Sequence, residues 1–489
     1  TVLATLSKAD GALMPFYALL LEWLVLRRQD TRPPRAAHRV TMLLLAVLPA
    51  VIILGYLAKL AVHGIGAPEP FGRDFTVGQR LLTEPRILWD YIKLLWLPRP
   101  FTPGLFNDQI HASTSLLHPV TTLPALAGVA ALLAGAWALR KRAPLWALAI
   151  LFYFAGQLLE STSIPLELYF EHRNYVPALL MFWPLALWLT KTPAPAGAVE
   201  SSNRQRNVTA AARGLVAAVI VVALAGMTHA RAEVWGNRTE QALLWARLNP
   251  ESPRAQAYAA QILTPQGYPQ WALQHLRPLL KQDPGQIQIA FNLVGADCAL
   301  GVVPPQDIAA TRRAIVSTRR LGSLSFKWIG GAINIARAGT CRGLTPAVVK
   351  SFIDAAWHNP QTAHSQGWQQ DILNLRGRYA LAFGTPLQAY QAFAAALSTQ
   401  PEPASALQQA AVLGRAGHQH LALCELALLD NTSAVAPSGF SMRRVHAWVL
   451  TRQDYWRHEI RHLRAALQRD LPADQRGLSC PRANPSDSG

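Results

Sequence analysis

Ser161-Thr-Ser-Ile-Pro-Leu-Glu-Leu-Tyr-Phe-Glu-His-Arg-Asn-Tyr-Val-Pro177 gathers charge between two segments that carry none, Ala143 to Leu159 before it and Val176 to Thr190 after it. Uncharged apolar runs of this kind read as membrane-spanning helices, because about 20 apolar residues cross a hydrocarbon core and somewhat shorter runs are met by local thinning. The polar stretch is then a connection at a membrane face. Ionisable groups held at that depth cost free energy and point by default to function, so Glu160, Glu167, Glu171, His172, Arg173 and Tyr175 are the leading site candidates.

The rest of the chain extends this reading. It has 489 residues, 51% hydrophobic and only 15% charged, a balance unusual for a water-soluble protein. Long uncharged runs recur up to about residue 231, and mixed polar and apolar sequence follows. The expected organisation is a polytopic membrane domain over 1–231, a soluble helical domain over 232–477, and a polar, Pro- and Ser-rich tail over 478–489 that reads as disordered. The chain opens at Thr1 without a basic leader region or cleavage site, which reads as a fragment.

Six spans are predicted, at about 11–26, 40–60, 119–139, 143–159, 176–190 and 214–230. Three basic connections set their orientation: Arg27, Arg28, Arg32, Arg35 and Arg39; Arg140-Lys141-Arg142; and Lys191 to Arg213 with Arg204 and Arg206. Short Lys/Arg-rich loops stay in the cytoplasm, so Lys8, Asp10, Arg73, Arg99, the Glu160 to Tyr175 stretch and the C-terminal half fall on the outer face. Ile87 to Leu97 reads as a helix lying in the headgroup plane or as a core helix between spans, with Trp89 and Trp96 on one side.

The net charge of +18 is not gathered in one stripe with interleaved aromatics, and several basic residues sit in these short loops, which fits membrane topology and anionic headgroups better than nucleic acid. Cys298, Cys341, Cys424 and Cys480 all lie in the soluble half with no CxxC spacing. An oxidising compartment permits a Cys298–Cys341 bond, and buried free thiols are the alternative. No His, Cys and Asp set has metal-ligand spacing, and neither a resident cofactor nor a requirement for a divalent metal can be read.

The soluble half carries a repeat. Pro250 and Pro284 are 34 residues apart, with Ala260, Gly267 and Ala272 between them at the small-residue positions of a tetratricopeptide repeat. A clearer copy spans Gln370 to Pro403, where Gly377, Ala389, Phe393, Ala396 and Pro401 fill the small, small, aromatic, small and proline positions in order. Small residues let two antiparallel helices approach, the aromatic fills the groove to the next pair, and proline ends the second helix. The expected fold is therefore all-α: a polytopic helical membrane domain followed by a tetratricopeptide-like α-solenoid.

A Lys-Ala-Asp-Gly start to the first helix (Lys8 to Gly11), Arg-Asn-Tyr-Val-Pro entering another (Arg173 to Pro177) and a repeat tail together resemble the transmembrane-and-tetratricopeptide O-mannosyltransferases and their bacterial relatives. The resemblance implies an integral-membrane glycosyltransferase of the C class in the bacterial inner membrane, taking sugar from a polyprenyl-phosphate donor at the periplasmic face. The family pattern is Ser-Lys-Glu-x-Gly, whereas Ser7-Lys8-Ala9-Asp10-Gly11 places its acid one residue later. The family's catalytic acid in an early external loop would lie upstream of Thr1. On this resemblance Arg173, Lys8 and more weakly Arg73 would hold the donor phosphate, Glu171 or Asp10 would act as base, and His172 would move a proton or touch phosphate. Tyr175 would pack on the sugar, and the repeats would present an exported protein acceptor. Two other readings stand beside it: an O-antigen ligase or oligosaccharyltransferase of the same lipid-phosphate chemistry, and a membrane-anchored repeat scaffold with no reaction of its own.

Overall fold

The computed structural model describes residues 2–29, 35–67, 75–190, 200–319, 321–430 and 442–481. Arg73 and the linker over 191–199 lie outside the described residues. Among the described residues the chain is all-helical, with no β-strand and one isolated bridge between Val302 and Arg342. It divides into two compact units, Thr1–Ser252 and Pro253–Gly489, a break later than the fall in hydropathy near residue 231.

The first unit contains α1 Ala9–Leu26, α2 Ala36–Gly64, α3 Val77–Trp96, α4 Thr122–Leu139, α5 Pro144–Gly156, α6 Pro177–Thr190, α7 Glu200–Gly236 and α8 Arg238–Leu248. Four of these, α1, α2, α4 and the Val208–Gly236 part of α7, are long and apolar enough to cross a membrane. The other two predicted spans are shorter. Helix α5 has 13 residues and reaches only ~20 Å at ~1.5 Å per residue, against a core of ~30 Å, and α6 opens with a 3₁₀ turn over Pro177–Leu180.

At one end of this unit two basic connections meet. Arg28 donates to the carbonyl of Lys141 at 3.1 Å and to that of Arg140, so the first two Arg-rich loops share a side. His38 and Glu22 pair at 2.9 Å nearby.

Helix α3 differs from the headgroup-plane expectation. Thr76 and Gln79 form a reciprocal cap, each side chain accepting from the other's backbone N–H, and start the helix ten residues before the predicted Ile87. Arg80, Glu84, Ile87, Leu88 and Tyr91 recur at helical spacing on one buried face. Trp89 donates its indole N–H to Ala125 of α4 at 3.0 Å, and Trp96 packs edge-on against Phe182. The core-helix alternative describes α3; a helix lying free in the interface does not.

The second unit runs through α9 Pro253–Leu263, α10 Pro269–Gln282, α11 Ile287–Ala299, α12 Pro305–Ser317, α13 Ser323–Ala338, α14 Pro346–Trp357, α15 Gln366–Phe383, α16 Pro386–Thr399, α17 Pro403–Arg415, α18 Gln419–Asp430, α19 Met442–Arg452 and α20 Tyr455–Arg469. Six of these twelve open with proline in the first turn, where the missing N–H costs nothing. Gly377 of α15 faces the ring of Phe393 in α16 so closely that an added Cβ would sit 2.3 Å from it. Ala389 and Ala396 are fully buried on the same helix as Phe393.

Two disulfides close this unit, Cys298–Cys341 and Cys424–Cys480, so the free-thiol alternative does not hold. The second also corrects the disordered-tail expectation for Leu478 to Pro481. Cys480 is tied to α18, and Tyr390 donates to the Pro481 carbonyl at 3.5 Å; residues 482–489 lie outside the described residues.

Candidate functional site

At the end of the first unit opposite the Arg28 contact, the Glu160 to Tyr175 connection is held by a guanidinium that sequence reasoning passed over. Arg80 is fully buried and donates to four carbonyls of that connection: Thr162 at 2.9 Å, Glu167 at 3.2 Å, and Leu166 and Glu160 at 2.5 Å each. The same group pairs with Glu84 one helical turn on, at 2.7 Å. Burial raises the Glu84 carboxyl to about 7, with Arg80 and Arg173 opposing the shift.

Arg173, the expected phosphate cation, is spent in the same way. It is buried, pairs with Glu160 at 3.0 Å, and donates to the carbonyls of Glu167 at 2.6 Å and Leu168 at 3.4 Å. Asn174 beside it accepts from Gln157 at 2.9 Å and donates to the Glu171 carbonyl at 3.1 Å. Tyr91 accepts from the Phe170 N–H at 2.7 Å, and Tyr169 donates to Asp90 at 3.0 Å. Ser163 donates to the Leu57 carbonyl at 2.7 Å, which ties the connection to α2. The connection is thus a rigid shelf fastened to α2, α3 and α5.

Beside the shelf, Lys8 and Asp10 pair at 2.7 Å with the lysine largely exposed, and the Asp10 carboxyl faces Glu160. The hydrogen bond to Asp10 raises Lys8, while burial, with Asp10 adding, raises Glu160 against the pull of Arg173. His172 is lowered, by burial first and then by Arg173 and Lys8.

Glu171 and His172 open onto a cleft of about 610 Å³. Its walls are mainly apolar, from Leu94, Leu95, Phe101, Leu105, Phe170 and Trp245, with Arg99 and Arg231 as its cations. Arg231 pairs with Glu171 at 3.0 Å and donates to Thr102 at 2.9 Å. The second Glu171 oxygen is buried and accepts no hydrogen bond among the described residues. Arg99 is exposed and makes no ion pair with a described residue. The loop under Arg99 is fixed by Gly104, which turns with φ +71° against the Trp245 ring where a Cβ would sit 2.2 Å away, and by Ser252, which donates to Asp108 at 2.7 Å.

Of the predicted site residues, Glu171 and His172 therefore meet in the cleft. Lys8, Asp10 and Arg173 gather behind it around Glu160, Tyr175 is 88% exposed, and Arg73 lies outside the described residues. Arg231, Arg80 and Glu84 were missed. A signal existed for each: Arg80 and Glu84 continue the face of Ile87, Leu88 and Tyr91 backward at helical spacing, and Arg231 is the first charge after the apolar run of α7. Among the described residues no three His, Cys, Asp or Glu side chains gather as a metal-ligand set. No protein-family model matches the chain, and neither does a curated protein or a solved structure.

Proposed function

We propose that the chain is an integral-membrane glycosyltransferase that takes sugar from a polyprenyl-phosphate donor and delivers it to an exported protein. The observation that carries this reading is the cleft, where apolar walls, two arginines and a carboxylate with one oxygen that accepts no hydrogen bond among the described residues converge beside helices of membrane length. A polyprenyl-phosphate sugar has matching parts: an apolar tail, an anionic phosphate and a sugar whose anomeric carbon is attacked by an acceptor hydroxyl.

Arg99 and Arg231 would hold the phosphate, as charge-assisted donors do. They take the place first given to Arg173, whose role becomes that of a buried brace. The Glu171 oxygen that accepts no hydrogen bond among the described residues would take the acceptor's proton, while the other oxygen stays fixed on Arg231. His172, kept neutral by its lowered pKa, would contact phosphate or pass the proton onward. The bond between the anomeric carbon and the phosphate oxygen would break as the glycosidic bond forms, and polyprenyl phosphate would leave with its charge balanced by the two arginines.

The same features support a localisation. Two arginine-rich loops share the end opposite the cleft, which supports a cytoplasmic end there and a periplasmic cleft in an inner membrane. The two disulfides fit an oxidising compartment for the second unit. The Gly377–Phe393 contact fits a tetratricopeptide-like solenoid whose concave surface would present the acceptor protein.

Mass spectrometry of exported proteins tests this reading, comparing a strain that makes the wild-type protein with strains making Arg231→Ala or His172→Ala. Loss of a single-sugar mass increment in both variants, with the protein still present in membranes, is the expected result. Unchanged exported proteins would refute the transferase, and loss of a long glycan would favour the ligase alternative.

A further inference from the structure

Helices α19 and α20 gather charge in one place, although no single basic stripe is expected from the sequence. Residues 442–469 hold seven arginines and three histidines against two carboxylates, Asp454 and Glu459. Helix α20 turns Leu463 and Leu467 inward, where Leu467 packs over Gly414 of α17. Its opposite face exposes Arg457, His458, Arg461 and His462 at three- and four-residue spacing. Helix α19 adds exposed Arg444 and Arg452 and presents Trp448, 59% exposed, with the Arg452 guanidinium 5.6 Å from the ring centre. Tyr455, at the start of α20, is also exposed.

We infer that this α19–α20 face is a docking surface for an anionic phospholipid bilayer. Arginines supply the charge complement to lipid phosphates, and Trp448 and Tyr455 are the amphipathic rings that settle at headgroup depth. The Trp and Tyr exposure favours a bilayer over a purely electrostatic partner. Covalent continuity does too: the unit is joined through Ser252 and Pro253 to a half bearing four helices of membrane length, so a lipid surface is always at high effective concentration. The inference does not depend on the glycosyltransferase reading, since it concerns a surface in the other unit.

Hydrogen-exchange mass spectrometry on the full chain tests it, in nanodiscs of phosphatidylcholine and in nanodiscs that also contain phosphatidylglycerol. Peptides from 442–469 should exchange at least about fivefold more slowly in the anionic discs, and the protection should vanish at high salt. Peptides from α17 should not change between discs. The double variant Arg457→Glu with Arg461→Glu should lose the protection while α17 keeps its wild-type exchange, which shows the hairpin still folded against it; Trp448→Ala should weaken it. Equal exchange of 442–469 in both discs would overturn the inference, as would protection that appears only on adding RNA or an acidic protein.

Discussion

The two ends of the first unit both carry arginines, and they use them in opposite ways. At the end where the basic loops meet, Arg28 is exposed and caps the carbonyls of Arg140 and Lys141, a contact that water can replace at little cost. At the other end Arg80 and Arg173 are buried, each matched to a carboxylate and to several carbonyls of one connection. Counting charges says only which side an end faces. Burial and pairing say where a fixed polar surface has been built, and the second end has a cleft beside it.

The largest contrast should appear on removing one arginine from each end. Arg80→Ala leaves Glu84 and four carbonyls buried without their donor, a loss of ~3–5 kcal/mol or outright misfolding. Arg28→Ala should cost under ~1 kcal/mol. Thermal unfolding of the detergent-solubilised variants measures both, and equal losses would break the distinction.

Buried carboxyls offer a sharper form of the same comparison. Glu84 has Arg80 beside it, whereas Glu425 in α18 is fully buried with neither oxygen hydrogen-bonded among the described residues, and burial raises it to about 8. Because the folded value lies above the unfolded one, near 4.5, the protonated form carries the stability. That contribution is complete below the unfolded value and declines as pH rises through about 8. Glu425→Gln should remove this decline and raise stability above pH 8 by a few kcal/mol, measured as the unfolding midpoint across pH. A midpoint with the same pH slope in both proteins would show that the carboxyl is not neutral when folded.

The smallest effect concerns His172. Its lowered pKa keeps the ring neutral at pH 7, so transfer activity should fall on acidification only below the ordinary imidazole value near 6.5. In His172→Gln the residual rate should lose that acid limb. A limb that persists in this variant would assign it to another group.

Much of the first unit was legible because apolar runs and basic loops obey simple rules: four membrane-length helices and the shared side of two arginine-rich loops follow from them. The Glu160 to Tyr175 connection stood out for the same reason. Its internal use of charge did not, because a linear sequence does not say which arginine reaches a solvent-facing cleft and which folds back on its own carbonyls. Arg173 and Arg231 look alike in the chain, and only the approach of α7 and the Thr102 loop to Glu171 separates them. The Gly377, Ala389 and Phe393 spacing was readable since close helix approach demands a glycine there, while the Cys424–Cys480 bond was not, as pairing over 56 residues depends on the tertiary path.

The central claim is that Glu171, fixed by Arg231 in the cleft, accepts a proton from the acceptor hydroxyl. It is tested most directly with purified full-length protein in nanodiscs, following transfer of labelled sugar from a polyprenyl-phosphate donor to exported protein while donor binding is measured separately. The account predicts that Glu171→Gln lowers the transfer rate by ~100-fold or more with donor binding kept, and that Glu22→Gln at the opposite end changes neither. Wild-type transfer from Glu171→Gln, or a wild-type protein that binds no donor, would contradict it.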